Sequence, residues 1–273
     1  MFYKKKIMSK FEIYCVTDKP IKLIKNKNYN LCAAKNGIFP NSYLIPNTGD
    51  NIENKEKYYS ELTFHYWFWK NKLQINSDHW IGFCQKRRYW IKNGFDNKKI
   101  NLKNLNEYIL EEPDKSWENF DSIICKSIYV NKVKKMKLIK RGWKSLIKDP
   151  SIFFDIKKQT IKLHFDMHHG HGNLEKAIDL LDINDREDFR EYVNTKNNFN
   201  PHIMFISKPY IINKWFNSLF PWLTRCEKIF GFEELGGKYD TKRLYAFLAE
   251  RYLSFWFKKY TKYKEQSWVL VNI

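Results

Sequence analysis

His79-Trp80-Ile81-Gly82-Phe83-Cys84-Gln85-Lys86-Arg87-Arg88-Tyr89-Trp90 is the stretch on which the reading of this chain turns. Its first six residues are an apolar run bounded by polar ones, the pattern of a buried strand. The run ends in three cations, which are costly to place in a core. They reach solvent or bind something negative, and Arg can grip phosphate bidentately where Lys cannot. Upstream stands Asn47-Thr48-Gly49-Asp50-Asn51, where Gly49 permits a tight turn whose amides can cradle an anion. Between the two, Glu53 to Lys72 reads as a helix. Tyr58, Leu62, Tyr66 and Trp69 recur on one face, and Glu61 and His65 share a neighbouring one. Such an aromatic stripe suits a core contact and leaves one or two rings to line a sugar or base pocket. Turn, helix and strand together suit an anionic, ring-bearing ligand held at the end of a buried strand.

Working outward, Phe11 to Val16 is a second apolar run rich in strand formers, and it runs into Thr17-Asp18-Lys19-Pro20. In open α/β sheets ligands bind at such carboxyl ends; an ordinary Asp-containing turn fits these residues equally well. Leu31 to Pro46 reads as loop with one short strand at Tyr43 to Ile45, Ile91 to Trp117 as a polar, mobile excursion, and Asp121 to Val130 as a strand. Lys132 to Lys148 interleaves cations with Met136, Leu138, Ile139, Trp143, Leu146 and Ile147. It is either a helix lying on a membrane surface or a solvated basic helix.

Further on, Asp166, His168, His169 and His171 could in principle ligate a divalent ion, although Gly170 and Gly172 break the helix there. Substrate contact or helix termination competes with that role. Asn173 is placed to cap the next helix, with Glu175 in its first turn. His202 stands at the mouth of a strand ending at Ser207, followed by an amphipathic helix over Tyr210 to Ile229 and a glycine-rich loop, Gly231 to Gly237. Tyr239 to Lys259 is apolar nearly all round and reads as a buried helix with Glu250 and Arg251 at its centre. A carboxylate there is a functional group or half of a structural ion pair.

Composition sets the bounds. The 273 residues are 43% hydrophobic and 18% aromatic, enough for a large core in one domain or two small ones. A net charge of +19 favours phosphate-rich partners: nucleotides, nucleic acid or an anionic membrane. Most of the excess is Lys in a chain also rich in Asn and Ile, a bias that AT-rich coding spreads everywhere. The adjacent Arg87 and Arg88 therefore weigh more than any Lys run. The five cysteines have no C-x-x-C spacing and suit buried thiols in a reducing cytosol. Met1 to Lys10 lacks an apolar signal core, and no apolar run approaches the ~20 residues of a membrane span. A cytoplasmic protein is expected, resting at the inner face of the membrane if it meets one.

Thr48-Gly49-Asp50-Asn51-Ile52, the run E-L-T-x-x-Y-W-x-W-K-N from Glu61, I-G-x-C-x-x-R-R-Y from Ile81, H-x-M-F-I from His202 and A-E-R-x-L-x-x-W from Ala249 occur in a fixed order. Together they resemble the bacterial capsular-polysaccharide and O-antigen glycosyltransferases long carried only as a domain of unknown function. The resemblance spans Thr17 to Trp256. It implies a GT-A-like, Rossmann-like α/β fold: a central, mostly parallel sheet flanked by helices, with a helical C-terminal part. It implies one domain over residues 1–273, with a nucleotide-sugar half over about 11–130 and an acceptor half over about 150–262.

The implied reaction moves a sugar from a nucleotide donor, UDP favoured over GDP, to a growing capsular or lipopolysaccharide glycan, free or lipid-linked, with inversion. Arg87 and Arg88 would stabilise the departing diphosphate, and Glu250 would be the general base. The donor side would draw on Thr17, Asp18, Lys19, Gly49, Asp50, Asn51, Glu61, Trp69, Lys70 and Tyr89. The acceptor side would draw on His169, His171, His202 and Arg251. No D-x-D triplet occurs, so a need for Mn²⁺ or Mg²⁺ stays open. The family pattern has H-Y-R-R where this chain has Gln85-Lys86-Arg87-Arg88, H-K-P where it has Asp18-Lys19-Pro20, and N-M-F where it has Ile203-Met204-Phe205. Those departures keep a catalytically inactive scaffold of a glycan-assembly cluster as an alternative. A basic nucleic-acid-binding protein is disfavoured because the charge is dispersed and no such motif appears.

Overall fold

The computed structural model describes residues 10–21, 27–235 and 239–272; residues 1–9 and the Gly236–Gly237 end of the glycine-rich loop lie outside them. The strands are β1 (Phe11–Thr17), β2 (Tyr29–Ala33), β3 (Trp80–Gln85), β4 (Arg88–Trp90), β5 (Ser122–Cys125), β6 (Ile128–Tyr129), β7 (Asn198–Phe199), β8 (Phe205–Ser207), β9 (Tyr263–Gln266) and β10 (Trp268–Leu270). The helices are α1 (Glu56–Tyr59), α2 (Leu62–Asn71), α3 (Leu105–Tyr108), α4 (Lys135–Lys148), α5 (Ile161–His169), α6 (Asn173–Ile178), α7 (Ile183–Thr195), α8 (Pro209–Phe230), α9 (Tyr239–Lys242) and α10 (Leu244–Tyr260).

The main sheet runs β2-β1-β3-β8-β5-β9, with the β4–β10 ribbon continuing from the end of β3. β2, β1 and β3 are parallel, as are β5 and β9, and these carry most of the cross-strand pairs; β8 runs antiparallel between the two groups. This is the mixed α/β, mostly parallel architecture expected.

Side-chain alternation divides two cores. Tyr14, Val16, Ile81, Phe83 and Ile124 pack against α2, α8 and α10. Ile13, Cys15, Cys84, Ile123 and Cys125 pack on the other face, under Ile91, Ile100, Leu105, Ile109 and Trp117. Strands covered on both faces lose their polar alternation, which is why β1 and β3 stand out as apolar runs. Gly82 sets the spacing at the centre: a Cβ there would lie 2.4 Å from Ile13 Cδ1 and 2.7 Å from Ile206 Cγ1. All five cysteines are buried and free.

Several expected boundaries move. The single helix over Glu53–Lys72 is broken at Ser60, whose φ of 54° is left-handed and whose carbonyl accepts from Thr63 Oγ1 at 2.9 Å. Tyr239–Lys259 is likewise two helices, α9 and α10. Asp121–Val130 is two strands, β5 and β6. Tyr29–Ala33 forms a strand because β1 offers it a parallel edge, and the strand expected at Tyr43–Ile45 is reduced to one bridge from Leu44 to Cys32. Ile91–Trp117 is no loose excursion: Ile91, Ile100, Leu105, Ile109, Leu110 and Trp117 are buried and cover the second face. Asn173 is the first residue of α6 and not its cap; Gly172 holds that place. Among the described residues no helix is long and apolar enough to cross a membrane.

Candidate active site

Four chain reversals meet at the carboxyl ends of β1, β3 and β5. The Ser60–Glu61 break brings two polar side chains, and the β3–β4 hairpin brings Gln85 and Arg88. The turn before β8 brings His202 and Ile203. The α9–α10 segment brings Tyr239, Arg243, Phe247 and Glu250. Together these residues line a pocket of about 160 Å³. Larger hollows of about 530 and 760 Å³ lie elsewhere, but the buried carboxylates there are partnered. Asp185 accepts from Tyr252 and Tyr260 and pairs with Lys259; Asp166 pairs with Lys162.

Two guanidinium groups face the small pocket. Arg88 donates from Nη1 to Gln85 Oε1 at 2.9 Å, and the Gln85 amide donates in turn to Glu61. Gln85, where the family pattern has His, thus bridges the arginine and the carboxylate. Arg88 Nε is buried with no partner. Arg243 donates to Ser60 Oγ at 2.9 Å and to Glu56 Oε1 at 3.4 Å. Burial raises the Glu61 pKa, against the pull of the Ser60 hydroxyl, a backbone amide, Arg88 and Arg243.

Glu250 lines the same pocket. Its Oε1 accepts the His202 backbone N–H and lies 3.6 Å from that imidazole's Nδ1. Its Oε2 accepts from Arg251, which is 1% exposed and lies 4.0 Å over the Phe199 ring. His202 holds a left-handed φ of 65°, and its Nε2 is buried without a partner. Burial, with the charges of Arg88 and Arg251, pushes its pKa well below the usual imidazole range, so the ring is neutral. Unpartnered buried polar atoms are rare in folded proteins, and strained backbone concentrates at functional sites.

The pocket therefore gathers Arg88, Glu61, His202 and Glu250, with Arg251 behind them. It does not take in Arg87, which is exposed and donates to Asn272 Oδ1 at 2.7 Å. Tyr89 is buried and bonds to the Lys86 carbonyl. Beside the pocket, Thr17 Oγ1 donates to the Cys32 carbonyl and Asp18 pairs with Lys86, while Lys19 is exposed. Burial would raise the Asp18 pKa, but the Lys86 hydrogen bond and the Lys86 and Arg243 charges outweigh it and lower the value.

The Gly49–Asn51 turn bonds to α2 instead: Asp50 accepts from Tyr66, and Asn71 bonds to both its amide and its carbonyl. Trp69 donates to Asn213 Oδ1 at 2.9 Å and stacks on Phe220, with Lys70 Nζ 3.7 Å over its ring. The histidine cluster points apart. His168 meets the His164 carbonyl, His169 the Asp240 carbonyl and His171 the Arg141 carbonyl. Among the described residues no group of three or more His, Cys, Asp or Glu could hold a metal ion.

Sequence reasoning missed Arg243 and Tyr239. The signal was available: only eight of the 49 basic residues are Arg, and Arg243 stands at the entry of a buried helix.

Residues 12–262 match the family described as a domain of unknown function, DUF4422. No curated protein matches the chain. The apo structure of WbbM, a bifunctional glycosyltransferase, is similar in fold, with a TM-score of 0.73 and 21% identity over 97% of this chain. The chain spans 46% of that structure.

Proposed function

The chain belongs to the DUF4422 family and shares its fold with part of a glycosyltransferase, and on that premise we propose that it transfers a sugar from a nucleotide donor to a hydroxyl of a capsular or lipopolysaccharide glycan. The observation that carries this reading is Arg88. Its guanidinium is fixed by Gln85, lies at the carboxyl end of the central strand, and keeps one buried N–H unpartnered. A nucleotide sugar departs as a diphosphate whose negative charge grows in the transition state. A donor held in place before that charge appears stabilises it without reorganising. Arg243, which lines the same pocket, adds a second positive charge.

At about 160 Å³ the pocket suits the sugar and the leaving phosphate, not a whole donor, since ligand sites run to several hundred Å³. The nucleoside would extend outward past Asp18 and Lys86. Glu250 is the general base in this reading: its oxygens are oriented by His202 and Arg251, and each keeps a lone pair for an acceptor hydroxyl. A base on the face opposite the leaving group gives inversion. Gly49, Asp50, Asn51, Trp69 and Lys70 would then support the donor side by holding α2, not by contact.

The test is a thermal-shift screen of the purified chain against UDP, GDP, CMP and their sugars, with Mn²⁺ or with EDTA. A ligand that binds the native state raises its melting temperature by mass action. UDP or UDP-sugars are expected to raise it, and Arg88→Ala to remove the rise. A wild-type protein that no nucleotide stabilises overturns the proposal. A rise that needs Mn²⁺ would show that the arginines share the diphosphate with an ion.

A further inference from the structure

Surface helices turn their apolar stripe toward the core. α4 carries two stripes. Leu138 and Gly142 are buried on one side, where Leu138 meets Leu163 and Met167 of α5. Met136, Ile139, Trp143 and Ile147 recur at spacings of three and four and stand in solvent, 77, 48, 51 and 72% exposed. At 3.6 residues per turn these four fall within about 80° of one another, beside the buried stripe. Lys140, Lys144, Lys137, Lys148 and Arg141 fill the next arc. From Lys126 through Lys148 the chain has nine cations and no carboxylate. Phe154, 83% exposed, adds to this surface near the start of the helix: it touches Phe153, whose ring lies 5.0 Å from Lys135 Nζ.

We propose that α4 docks the protein on a bilayer carrying anionic headgroups. Aliphatic side chains and one Trp on an exposed stripe, flanked by Lys, are the composition of a helix lying in the membrane interface. Met136, Ile139 and Ile147 would enter the acyl boundary and Trp143 would sit at headgroup level. The lysines would reach the headgroups along their own stems and be drawn by the negative surface potential. A nucleic acid would satisfy the cations but leave three aliphatic side chains with nothing to pack on, since bases stack on aromatic faces. A second copy of a chain with net charge +19 would be repelled at this face.

The docked face adjoins the pocket. Arg141 pairs with Asp240 at 3.3 Å, and the preceding residue, Tyr239, lines the pocket wall. The inference rests on the surface of α4 alone and stands whether or not the pocket transfers a sugar.

Vesicle flotation with the purified full chain tests it. Mixed phosphatidylcholine–phosphatidylglycerol vesicles should bind at least about tenfold more tightly than phosphatidylcholine alone, and binding should weaken as salt rises. A triple variant, Ile139→Asp, Trp143→Glu, Ile147→Asp, should keep its melting temperature and lose at least about tenfold of that binding. Lys140→Glu with Lys144→Glu removes no apolar contact and should abolish the preference for the anionic vesicles, so the proposal stays testable if the triple variant misfolds. Wild-type protein that ignores the mixed vesicles, or variants that bind them unchanged, would overturn the proposal. So would a concentration-dependent dimer or retention on RNA that the triple variant loses while vesicles are ignored; the face would then belong to those partners.

Discussion

The Gly49–Asn51 turn and the Gln85–Arg88 turn are both short, polar and set beside aromatic elements, and from sequence both suit an anion. Their surroundings differ. The first is taken up by its own neighbours, with Asn71 and Tyr66 holding Asp50 at backbone and side chain. The second fixes one side of Arg88 through Gln85 and leaves Nε buried and unmatched, beside a pocket that His202 and Glu250 also line. Residue type makes a turn capable of binding; what its neighbours leave unsatisfied decides whether it has anything to bind with.

The largest break in that contrast should come at Arg88. Arg88→Ala is expected to lower kcat by about a hundred- to a thousandfold, the range for losing a preorganised donor, and Arg88→Lys should recover little because Lys cannot make a fork contact. Initial rates with donor and acceptor check this. Glu250→Gln should lower kcat by about a hundredfold with KM nearly unchanged, the signature of a lost base. A near-normal kcat would leave Glu250 as the structural partner of Arg251.

Acid should act on the interior more broadly. Burial depresses His65 to about 3 and His164 and His169 to about 2, and it holds His202 well below the usual imidazole range. The unfolded chain binds these protons near pH 6.5 while the folded one does not, so stability is full above that pH and falls below it. Denaturant titrations at pH 7.5 and 5.5 should differ by about 1 kcal/mol for each histidine. A stability that is flat over that window would contradict the burial.

The first turn should answer in stability alone. Gly49 has a φ of 57°, and a Cβ there would meet Asn71 Oδ1 at 2.0 Å. Gly49→Ala should cost about 1–3 kcal/mol with activity per folded molecule kept. Smallest of all, Arg87→Ala should change rates less than about twofold, as an exposed side chain bonded to Asn272 should.

Arg87 and Arg88 also mark how far the sequence could be read. β1 and β3 were legible because burial on both faces writes them as apolar runs, and the candidate pocket lies at their carboxyl ends. Which arginine lines the candidate pocket was not legible, because adjacent residues at a hairpin point to opposite sides and only the fold says which side the pocket is on. Ser60 hid the break in the aromatic helix, since nothing in a serine announces a left-handed φ. β2, β9 and β10 are short and partly polar and take their pairing from the sheet. Ile91–Trp117 looked loose because its apolar residues are sparse, yet most of those few cover the second core. Glu250 and His202 were visible as candidates; that the first accepts the amide of the second was not.

Calorimetric titration of uridine diphosphate into wild-type protein, Arg88→Ala and Arg87→Ala, in EDTA and then in Mn²⁺, tests the central claim most directly. Wild type and Arg87→Ala should bind alike, and Arg88→Ala at least about tenfold more weakly, as losing a charge-assisted contact to a diphosphate requires. Equal binding by Arg88→Ala, or a loss confined to Arg87→Ala, would contradict the assignment of the pocket to the donor diphosphate.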